Sequence, residues 1–296
     1  MVIAASAARL LADFGYHMTF ICNPDWKEWI ESQPFVKSCI PFVAPWTSRR
    51  NKYKLSRYSL KDILELGSKI KRIQPSIIWD PRGDLRHRVF LNAITLRKII
   101  SPSYPKTLNV YKRVDTLLRV IGIIERREYA PVQREKPQKY LTLFFGSYWR
   151  SKQVPFQQGR QIVGNFLRAG LEVKLILEPQ DDAATWAEFE ALYGGSFSSF
   201  KGTVLECDAL ISRSALLVST DSAWLHIANY RGVPTVGLFG SLNAPQWAPP
   251  KCAVVYSERL IPMDLRYKLR YENEQPLQSI CAEKVLGAVT TLLVGN

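Results

Sequence analysis

Residues 216–250 read LLVSTDSAWLHIANYRGVPTVGLFGSLNAPQWAPP, a stretch whose residue types predict a strand, a helix and a second strand in that order. The apolar run at 216–218 is typical of a buried strand. Asp221 is placed to cap the following helix, because a carboxylate there can accept hydrogen bonds from backbone amides two or three residues further on. Gly232 is expected to end the helix, and the second strand follows at 235–239.

A strand, a helix and a strand in this order form a parallel unit whose helix begins at the carboxyl edge of the sheet. Unpaired N–H groups and the helix dipole favour an anion at that edge. The sequence places four residues there: Asp221, Ser222, Ala223 and His226. Gly240, where we expect the second strand to break, follows at the same edge. The stretch therefore predicts an α/β fold with an anion site in the second half of the chain.

Length and composition restrict the class of protein. The chain has 296 residues, of which 47% are hydrophobic, so it can bury two cores of ordinary size. No apolar run reaches the length of a membrane span, and no basic region precedes the first apolar residues, so we expect a cytoplasmic protein. The five cysteines show no paired spacing, which favours reduced thiols over a zinc site or a disulfide framework.

The net charge of +14 is divided unequally along the chain. Residues 1–138 contain 25 Lys and Arg against 12 Asp and Glu, whereas residues 139–296 contain 15 against 14. Such asymmetry indicates that the first half faces a polyanion, which could be a nucleic acid, anionic lipid headgroups or a phosphorylated sugar. A basic surface that serves only solubility is the alternative.

Predicted helices and strands alternate along the whole chain. In the first half, helices are expected at 2–14, 26–32, 60–73 and 85–100, and strands at 17–22, 36–42 and 76–79. In the second half, strands are expected at 140–145 and 172–177, and helices at 156–169, 205–211 and 282–293, with a further helix that ends at Leu192. The charged, proline-containing stretch at 106–139 is expected to hold the linker. This alternation predicts two Rossmann-like α/β domains, 1–135 and 136–296, that face a cleft.

A basic turn follows the predicted strand at 76–79. Arg82 lies in this turn, and Arg86 and Arg88 lie in the helix after it. Loops at the carboxyl ends of strands bind ligands in α/β proteins, so Arg82 and Arg86 could hold carboxylates or phosphates. A solvated basic helix face is the alternative.

Three motifs resemble the heptosyltransferase family, which is family 9 of the glycosyltransferases. The run STDSAWLH at 219–226, with GVPTVGLFG after it and Trp-x-Pro at 247–249, resembles the family pattern Asp-Ser/Thr-Gly-x-x-His before a strand and Gly-Pro-Thr. The loop GSYWRSK at 146–152 resembles the family's Gly-Ala/Thr loop, whose lysine lies five residues after a small hydroxyl residue. WDPRGDLR at 79–86 resembles the Asp-x-x-Gly-x-x-Arg turn of the family's first domain.

The resemblance implies the GT-B fold, with the acceptor bound by the first domain and an ADP-sugar by the second. Family members transfer heptose onto the inner core of lipopolysaccharide. The expected partners are therefore an ADP-sugar donor and an anionic glycolipid or core oligosaccharide acceptor, with no nucleic acid. Peripheral contact with the cytoplasmic face of the inner membrane stays open. No cofactor and no metal are implied, and the sequence has no Asp-x-Asp triplet.

The resemblance also assigns roles to individual residues. Lys152 and the helix start at Ser222 and Ala223 would hold the diphosphate and neutralise the ADP leaving group. Asp221 would receive sugar hydroxyls or cap the helix, and His226 would face the donor. The other expected donor contacts are Gly146, Ser147, Gly240 and Glu178, the last of which would reach the ribose.

Each of these roles has a structural alternative that the sequence leaves open. Asp221 would then be only a helix cap, and Lys152 an ordinary surface lysine. His226 would be a satisfied core histidine, and Glu178 a solvated turn residue.

Two departures from the family pattern bear on the expected activity. The family's first strand and Gly-Asp turn supply the carboxylate proposed as general base and would precede Val2, so we expect an N-terminally incomplete first domain. Asp80 or Asp84 could then serve as the base. Ala223 stands where the family commonly has glycine, which adds a β-carbon beside the phosphate.

Three functional interpretations remain. The favoured one is a metal-independent, inverting transferase that moves a heptose-like sugar from an ADP-sugar to an anionic acceptor. The alternative is a catalytically impaired GT-B protein or partner subunit that binds the donor, as the missing carboxylate suggests. The third is a basic nucleic-acid-binding protein, which no recognised nucleic-acid motif supports.

Overall fold

The computed structural model describes residues 2–43, 59–80, 85–95, 99–100, 108–120, 137–147, 149–178, 181, 184–241, 243–261 and 274–295. It divides the chain into two compact units, of which the first is essentially Ile3–Arg127 and the second Glu128–Asn296. Within the described ranges, no helix combines the length and the apolar character needed to cross a membrane.

The first unit alternates helices with short parallel strands. Its elements are α1 (Val2–Asp13), β1 (Met18–Cys22), α2 (Lys27–Glu31), β2 (Val36–Pro41), α3 (Leu60–Ile73), β3 (Ile78–Trp79), α4 (Leu85–Ile94), β4 (Ile99–Ile100) and α5 (Val110–Val120). β1 pairs with β2, and β3 pairs with β4. Ile40 of β2 packs with Leu66 and Ile70 of α3 in a small buried cluster.

The first unit corrects two predictions. The helix expected at 85–100 ends at Ile94, and Ile99–Ile100 instead pairs in parallel with β3. An apolar pair of residues fits either a helix or a strand locally, so the pairing with β3 decides its structure. α5 lies in the stretch where only a linker was expected.

The second unit contains a six-stranded parallel sheet in the order β10-β9-β8-β5-β6-β7. The strands are β5 (Tyr140–Phe144), β6 (Glu172–Ile176), β7 (Phe197–Phe200), β8 (Leu216–Thr220), β9 (Thr235–Ser241) and β10 (Ala253–Ile261). The helices are α6 (Phe156–Arg168), α7 (Ala184–Tyr193), α8 (Val204–Arg213), α9 (Ala223–Tyr230), α10 (Ala244–Trp247) and α11 (Ala282–Val294). The α/β class predicted from the alternation is confirmed.

Helices cover the sheet of the second unit, so its central strands are buried along their whole length. All five residues of β5 and of β8 are buried, which explains their apolar runs without alternation. The last described segment completes this core, because Leu277 of the 3₁₀ turn Pro276–Ser279 and Val285 and Val289 of α11 are almost fully buried in it.

The strand–helix–strand unit at 216–250 forms as predicted, with two corrections. Ser222, not Asp221, caps α9, since its hydroxyl accepts from the backbone N–H of Trp224 at 3.3 Å. β9 does not break at Gly240 but continues to Ser241. A β-carbon at Gly240 would lie 2.5 Å from Cγ of Pro276, so the glycine allows a close approach of the following 3₁₀ turn. Gly232 ends the helix with a φ of +71°, as expected.

The strand order locates the point where ligands bind in sheets of this kind. From β5 the chain proceeds outward through β6 and β7, then returns to place β8 on the other side of β5 and continues through β9 and β10. The direction therefore reverses between β5 and β8. The loops that leave the carboxyl ends of these two strands diverge and form a crevice there.

Candidate active site

Two loops of the second unit meet at this reversal point, one after β5 and the other after β8. Thr220, the last residue of β8, donates a hydrogen bond from its hydroxyl to the carbonyl oxygen of Gly146 at 2.7 Å. Because Thr220 is fully buried, this bond fixes the start of the β5 loop beside the start of α9.

Lys152 and Asp221 form an ion pair in this crevice. Lys152 is held in the 3₁₀ turn Arg150–Lys152 of the β5 loop, and its ammonium group contacts Oδ2 of Asp221, which follows β8. The side chains are 20% and 12% exposed, so both are largely removed from bulk solvent. The structure therefore brings together two residues that lie 69 positions apart and were both predicted for the donor site.

A third residue of this cluster, Asn243, was not predicted from the sequence. Its side-chain amide donates to Oδ2 of Asp221 at 3.3 Å, and the hydroxyl of Ser241 donates to Oδ1 of Asn243 at 2.6 Å. Asn243 follows β9, at the same edge of the sheet. A polar turn residue after a strand was the available signal, but only the folded chain places it against Asp221.

The N-terminus of α9 faces the same crevice. Ser222 caps the helix, and its hydroxyl lies 2.9 Å from that of Ser219 in β8. Ala223 is the first residue of the helix, and the first amides of any helix lack partners within it. Together with the helix dipole, this end of α9 favours a negatively charged group beside the Lys152 ammonium.

His226 lies one turn into α9. Burial lowers its pKa to about 4, although the nearby Asp221 carboxylate acts in the opposite direction. Its imidazole is therefore neutral at pH 7, where it can donate one hydrogen bond and accept another but adds no positive charge.

Glu178 and Gly146 lie against each other at the ends of β6 and β5. A β-carbon at Gly146 would be 2.6 Å from both Cγ and Cδ of Glu178 and 2.8 Å from Cζ of Phe144. The backbone N–H of Glu178 donates to Oδ2 of Asp181 at 2.7 Å, which closes the turn after β6. Only a glycine at 146 therefore admits the Glu178 side chain to this position.

Ser147 is part of the internal structure of the β5 loop. Its hydroxyl accepts from the backbone N–H of Trp149 at 3.2 Å, and its carbonyl accepts from the side-chain amide of Gln153 at 2.6 Å. These two bonds turn the loop so that Lys152 points back toward Asp221. Gln153 was not recognised in the sequence, because glutamine in a polar loop has no distinctive pattern.

A cavity of about 300 Å³ opens beside Gly146 on the side of α6 and α7. Its lining is mainly apolar and aromatic, with the principal contributions from Phe145, Val154, Phe156, Leu175, Leu177 and Trp186. Gln153, Asp181 and Thr185 supply polar groups, whereas Lys152 and Asp221 are not among its lining residues.

The remaining predicted residues lie elsewhere or outside the described ranges. Asp80 follows β3 in the first unit; it is only 6% exposed, and its backbone N–H donates to the carbonyl of Ile100 at 3.0 Å. Arg82 and Asp84 lie outside the described residues, and Arg86 is described only as a position in α4. Among the described side chains, no group of three or more His, Cys, Asp or Glu is arranged to hold a metal ion.

The sequence of this region matches a family model. Residues 118–261 match glycosyltransferase family 9 (heptosyltransferase). These residues, just under half of the chain, are therefore similar to that family's domain. The matched range contains the β5 loop, the start of α9 and Asn243, so every contact of the Lys152 cluster lies inside it. A direct comparison with curated proteins finds no match.

Solved structures show that the chain has the fold of the family 9 enzymes. The glycosyl transferase family 9 protein of Veillonella parvula is 16% identical, with a TM-score of 0.73 over 100% of this chain and 94% of its own. The Escherichia coli heptosyltransferase WaaC, solved with ADP, is 12% identical, with a TM-score of 0.73 over 98% and 96%. E. coli ADP-heptose lps heptosyltransferase II is 14% identical, with a TM-score of 0.67 over 100% and 95%. The resemblance inferred from the motifs is therefore confirmed, as is the GT-B fold.

Proposed function

We propose that this chain acts as a family 9 glycosyltransferase and moves a heptose-like sugar from an ADP-sugar to an anionic acceptor of the lipopolysaccharide-core type. The observation that carries the proposal is the pairing of Lys152 with Asp221 beside the N-terminus of α9. A lysine ammonium group and a helix start on one side of a crevice form a site for a diphosphate. WaaC, which shares the fold, was solved with ADP.

Lys152 would act on the leaving group. Its ammonium group is paired with Asp221. A diphosphate in the crevice would compete for the ammonium and also receive the first amides of α9. When the bond from the sugar to the diphosphate breaks, ADP leaves with the electron pair and gains negative charge. The ammonium and the helix start would stabilise that charge without a metal ion.

Asp221 and His226 would contact the sugar side of the donor. Once Lys152 turns to the diphosphate, the Asp221 carboxylate can accept hydrogen bonds from sugar hydroxyls. His226 is neutral at pH 7, so it suits hydrogen bonding to the donor and not charge neutralisation. Glu178, packed on Gly146 at the end of β6, would accept from the ribose hydroxyls.

The cavity beside Gly146 supports a nucleotide as the donor's carrier. It adjoins the loop that presents Lys152, and its aromatic lining of Phe145, Phe156 and Trp186 suits a flat heterocyclic base. The polar groups of Gln153, Asp181 and Thr185 could read the edges of such a base. A base in the cavity and a diphosphate at Lys152 would place the sugar beyond Asp221.

The acceptor side of the proposal depends on the first half of the chain. Its large excess of Lys and Arg over Asp and Glu supports an anionic acceptor, and a membrane surface that carries such an acceptor would attract the same charge. We nominate Arg82 and Arg86 for acceptor contacts. Asp80, buried directly after β3, is the proposed base for the acceptor proton.

Calorimetric titration with ADP tests the donor site. Lys152→Ala should weaken ADP binding by about 1.5–3 kcal/mol, the usual scale for a hydrogen bond to a charged group. This corresponds to a change in Kd of roughly ten-fold to more than a hundred-fold. Lys284→Ala is the matched control, because Lys284 forms an exposed ion pair with Glu258 at 3.5 Å in the same unit.

Equal ADP affinity in the wild type and Lys152→Ala would show that the diphosphate binds elsewhere. Transfer is then assayed from ADP-heptose to a heptose-free core acceptor. ADP binding without any transfer would support the alternative of a donor-binding but catalytically impaired protein.

A further inference from the structure

Asn243 is held in one orientation at the Lys152–Asp221 pair. The Ser241 hydroxyl donates to Oδ1 of Asn243 at 2.6 Å, and this oxygen can only accept. Because the Asp221 carboxylate can only accept, the amide nitrogen is the atom that faces it, and it donates to Oδ2 at 3.3 Å. Rotating the amide by half a turn would bring two oxygens together at Asp221, so the carboxylate fixes the orientation and the Ser241 hydroxyl supports it.

The backbone of Asn243 is fixed as well. Its carbonyl accepts from the N–H groups of Gln246 and Trp247 at 3.0 and 3.1 Å, which anchors the residue at the start of α10. Asn243 and Ser241 are only 5% and 3% exposed. Asn243 and Ser241 are therefore held in place by the fold, and the Asn243 amide donates to the same carboxylate oxygen of Asp221 that Lys152 contacts.

We propose that Asn243 is a positioning residue that releases Lys152 for the donor. The inference rests on the proposed function, since it needs Lys152 to leave Asp221 when the diphosphate binds. A carboxylate that is 12% exposed and loses its ammonium partner carries a large desolvation penalty. The Asn243 amide remains on Asp221 and offsets part of that penalty, because a hydrogen bond to the charged form stabilises it.

This mechanism makes a specific prediction about coupling. Without the Asn243 amide, Asp221 depends more strongly on the ammonium, so Lys152 is released at a greater cost and ADP binds less tightly. Without the Asp221 carboxylate there is nothing to compete for Lys152. Asn243 should then have no influence on ADP affinity. A merely structural Asn243 would affect both backgrounds alike.

The test is a double-mutant cycle of Asn243→Ala and Asp221→Asn, with ADP affinity measured by calorimetry. Asn243→Ala should raise the Kd of the wild type roughly three- to ten-fold, the net contribution of one ordinary hydrogen bond, because the amide lies 3.3 Å from Oδ2 of Asp221 and offsets only part of the penalty. In the Asp221→Asn background the same substitution should leave Kd unchanged. Asn165→Ala is the matched control, because its amide donates to the exposed carboxylate of Glu283 at 3.4 Å.

Ser241→Ala provides a second route if Asn243→Ala is poorly folded in a thermal melt. It removes the bond that supports the amide and should weaken ADP binding by a smaller factor, again only when Asp221 is present. Equal losses in both backgrounds, or no loss in the wild type, would overturn the inference while the donor site stands. A wild-type protein that does not bind ADP would overturn the proposed function and this inference with it.

Discussion

Replacing Gly146 by alanine would test whether the contact with Glu178 shapes the donor site. The added β-carbon would lie 2.6 Å from Cγ and Cδ of Glu178 and 2.8 Å from Cζ of Phe144. Ordinary carbon contacts lie at about 3.5–4.0 Å, so the Glu178 side chain must move by roughly 1 Å. Such overpacking typically costs about 1–3 kcal/mol.

Two measurements check this prediction. Thermal unfolding of Gly146→Ala should show a lower Tm, by about 2–4 °C for each kcal/mol lost in a unit of this size. ADP affinity should fall as well, because the substitution displaces Glu178, which we propose accepts from the ribose hydroxyls. Gly164→Ala is the matched control, since a β-carbon there meets nothing closer than Nη1 of Arg168 at 3.5 Å and alanine favours the interior of α6.

The double variant Gly146→Ala with Glu178→Ala separates the two contacts. Truncation of Glu178 removes the closer clash and leaves the one with Phe144, so part of the lost Tm should return while ADP affinity stays low. An unchanged Tm and unchanged ADP affinity in Gly146→Ala would refute the packing of Glu178 on Gly146.

Two further predictions concern stability. The pKa of His226 is about 4 in the folded chain, against 6.5 for an ordinary histidine. Between these two values the unfolded chain binds more protons than the folded chain. The free energy of unfolding should therefore fall as the pH drops from 6.5 to 4. The contribution is at most about 3 kcal/mol, and urea titrations across this range should show a shallower pH dependence for His226→Asn than for the wild type. Arg231 donates to the buried Asp208 at 2.8 Å, and Arg231→Ala should cost about 3–5 kcal/mol in chemical denaturation because the buried carboxylate loses its ion partner. Lys284→Ala, which removes an exposed pair, should cost no more than about 1 kcal/mol, and similar losses in both variants would contradict the reasoning.

Elements with local causes were predictable from the sequence. α3 begins after Ser59, whose hydroxyl accepts from the N–H of Asp62 at 3.2 Å, and its bounds at Leu60–Ile73 agree with the prediction. α9 ends beside Gly232 for an equally local reason. Where capping residues and glycine positions determine the bounds, the nearest neighbours along the chain contain most of the information.

Elements that depend on distant partners were not predictable in this way. β7 contains two serines and lies at an edge of the sheet, and the turn before β10 has no distinctive pattern. These segments form strands because β7 pairs with β6 and β10 pairs with β9. The cap of α9 was misassigned for a similar reason. Asp221 has the better local pattern for a cap, but its carboxylate pairs with Lys152.

The candidate site, too, was predictable only in part. The motifs predicted that Lys152 and Asp221 lie at one site, and the structure shows their direct contact. Asn243 escaped notice because its role comes from a contact across 22 residues and from the exact course of β9 through Gly240. The sequence indicates which residue types could form a site, whereas the contacts between these residues depend on the order of the strands in the sheet.

The 3₁₀ turn at Pro276–Ser279 and α11 also determine when the second unit can finish folding. Leu277, Val285 and Val289 belong to the same buried cluster as Val218 of β8 and Val236 of β9. During synthesis, the strands from β5 to β10 emerge before this segment and lack the part of their apolar cover that it supplies. Until residues 274–295 arrive, the nascent unit exposes a hydrophobic surface to which chaperones can bind and through which chains can aggregate.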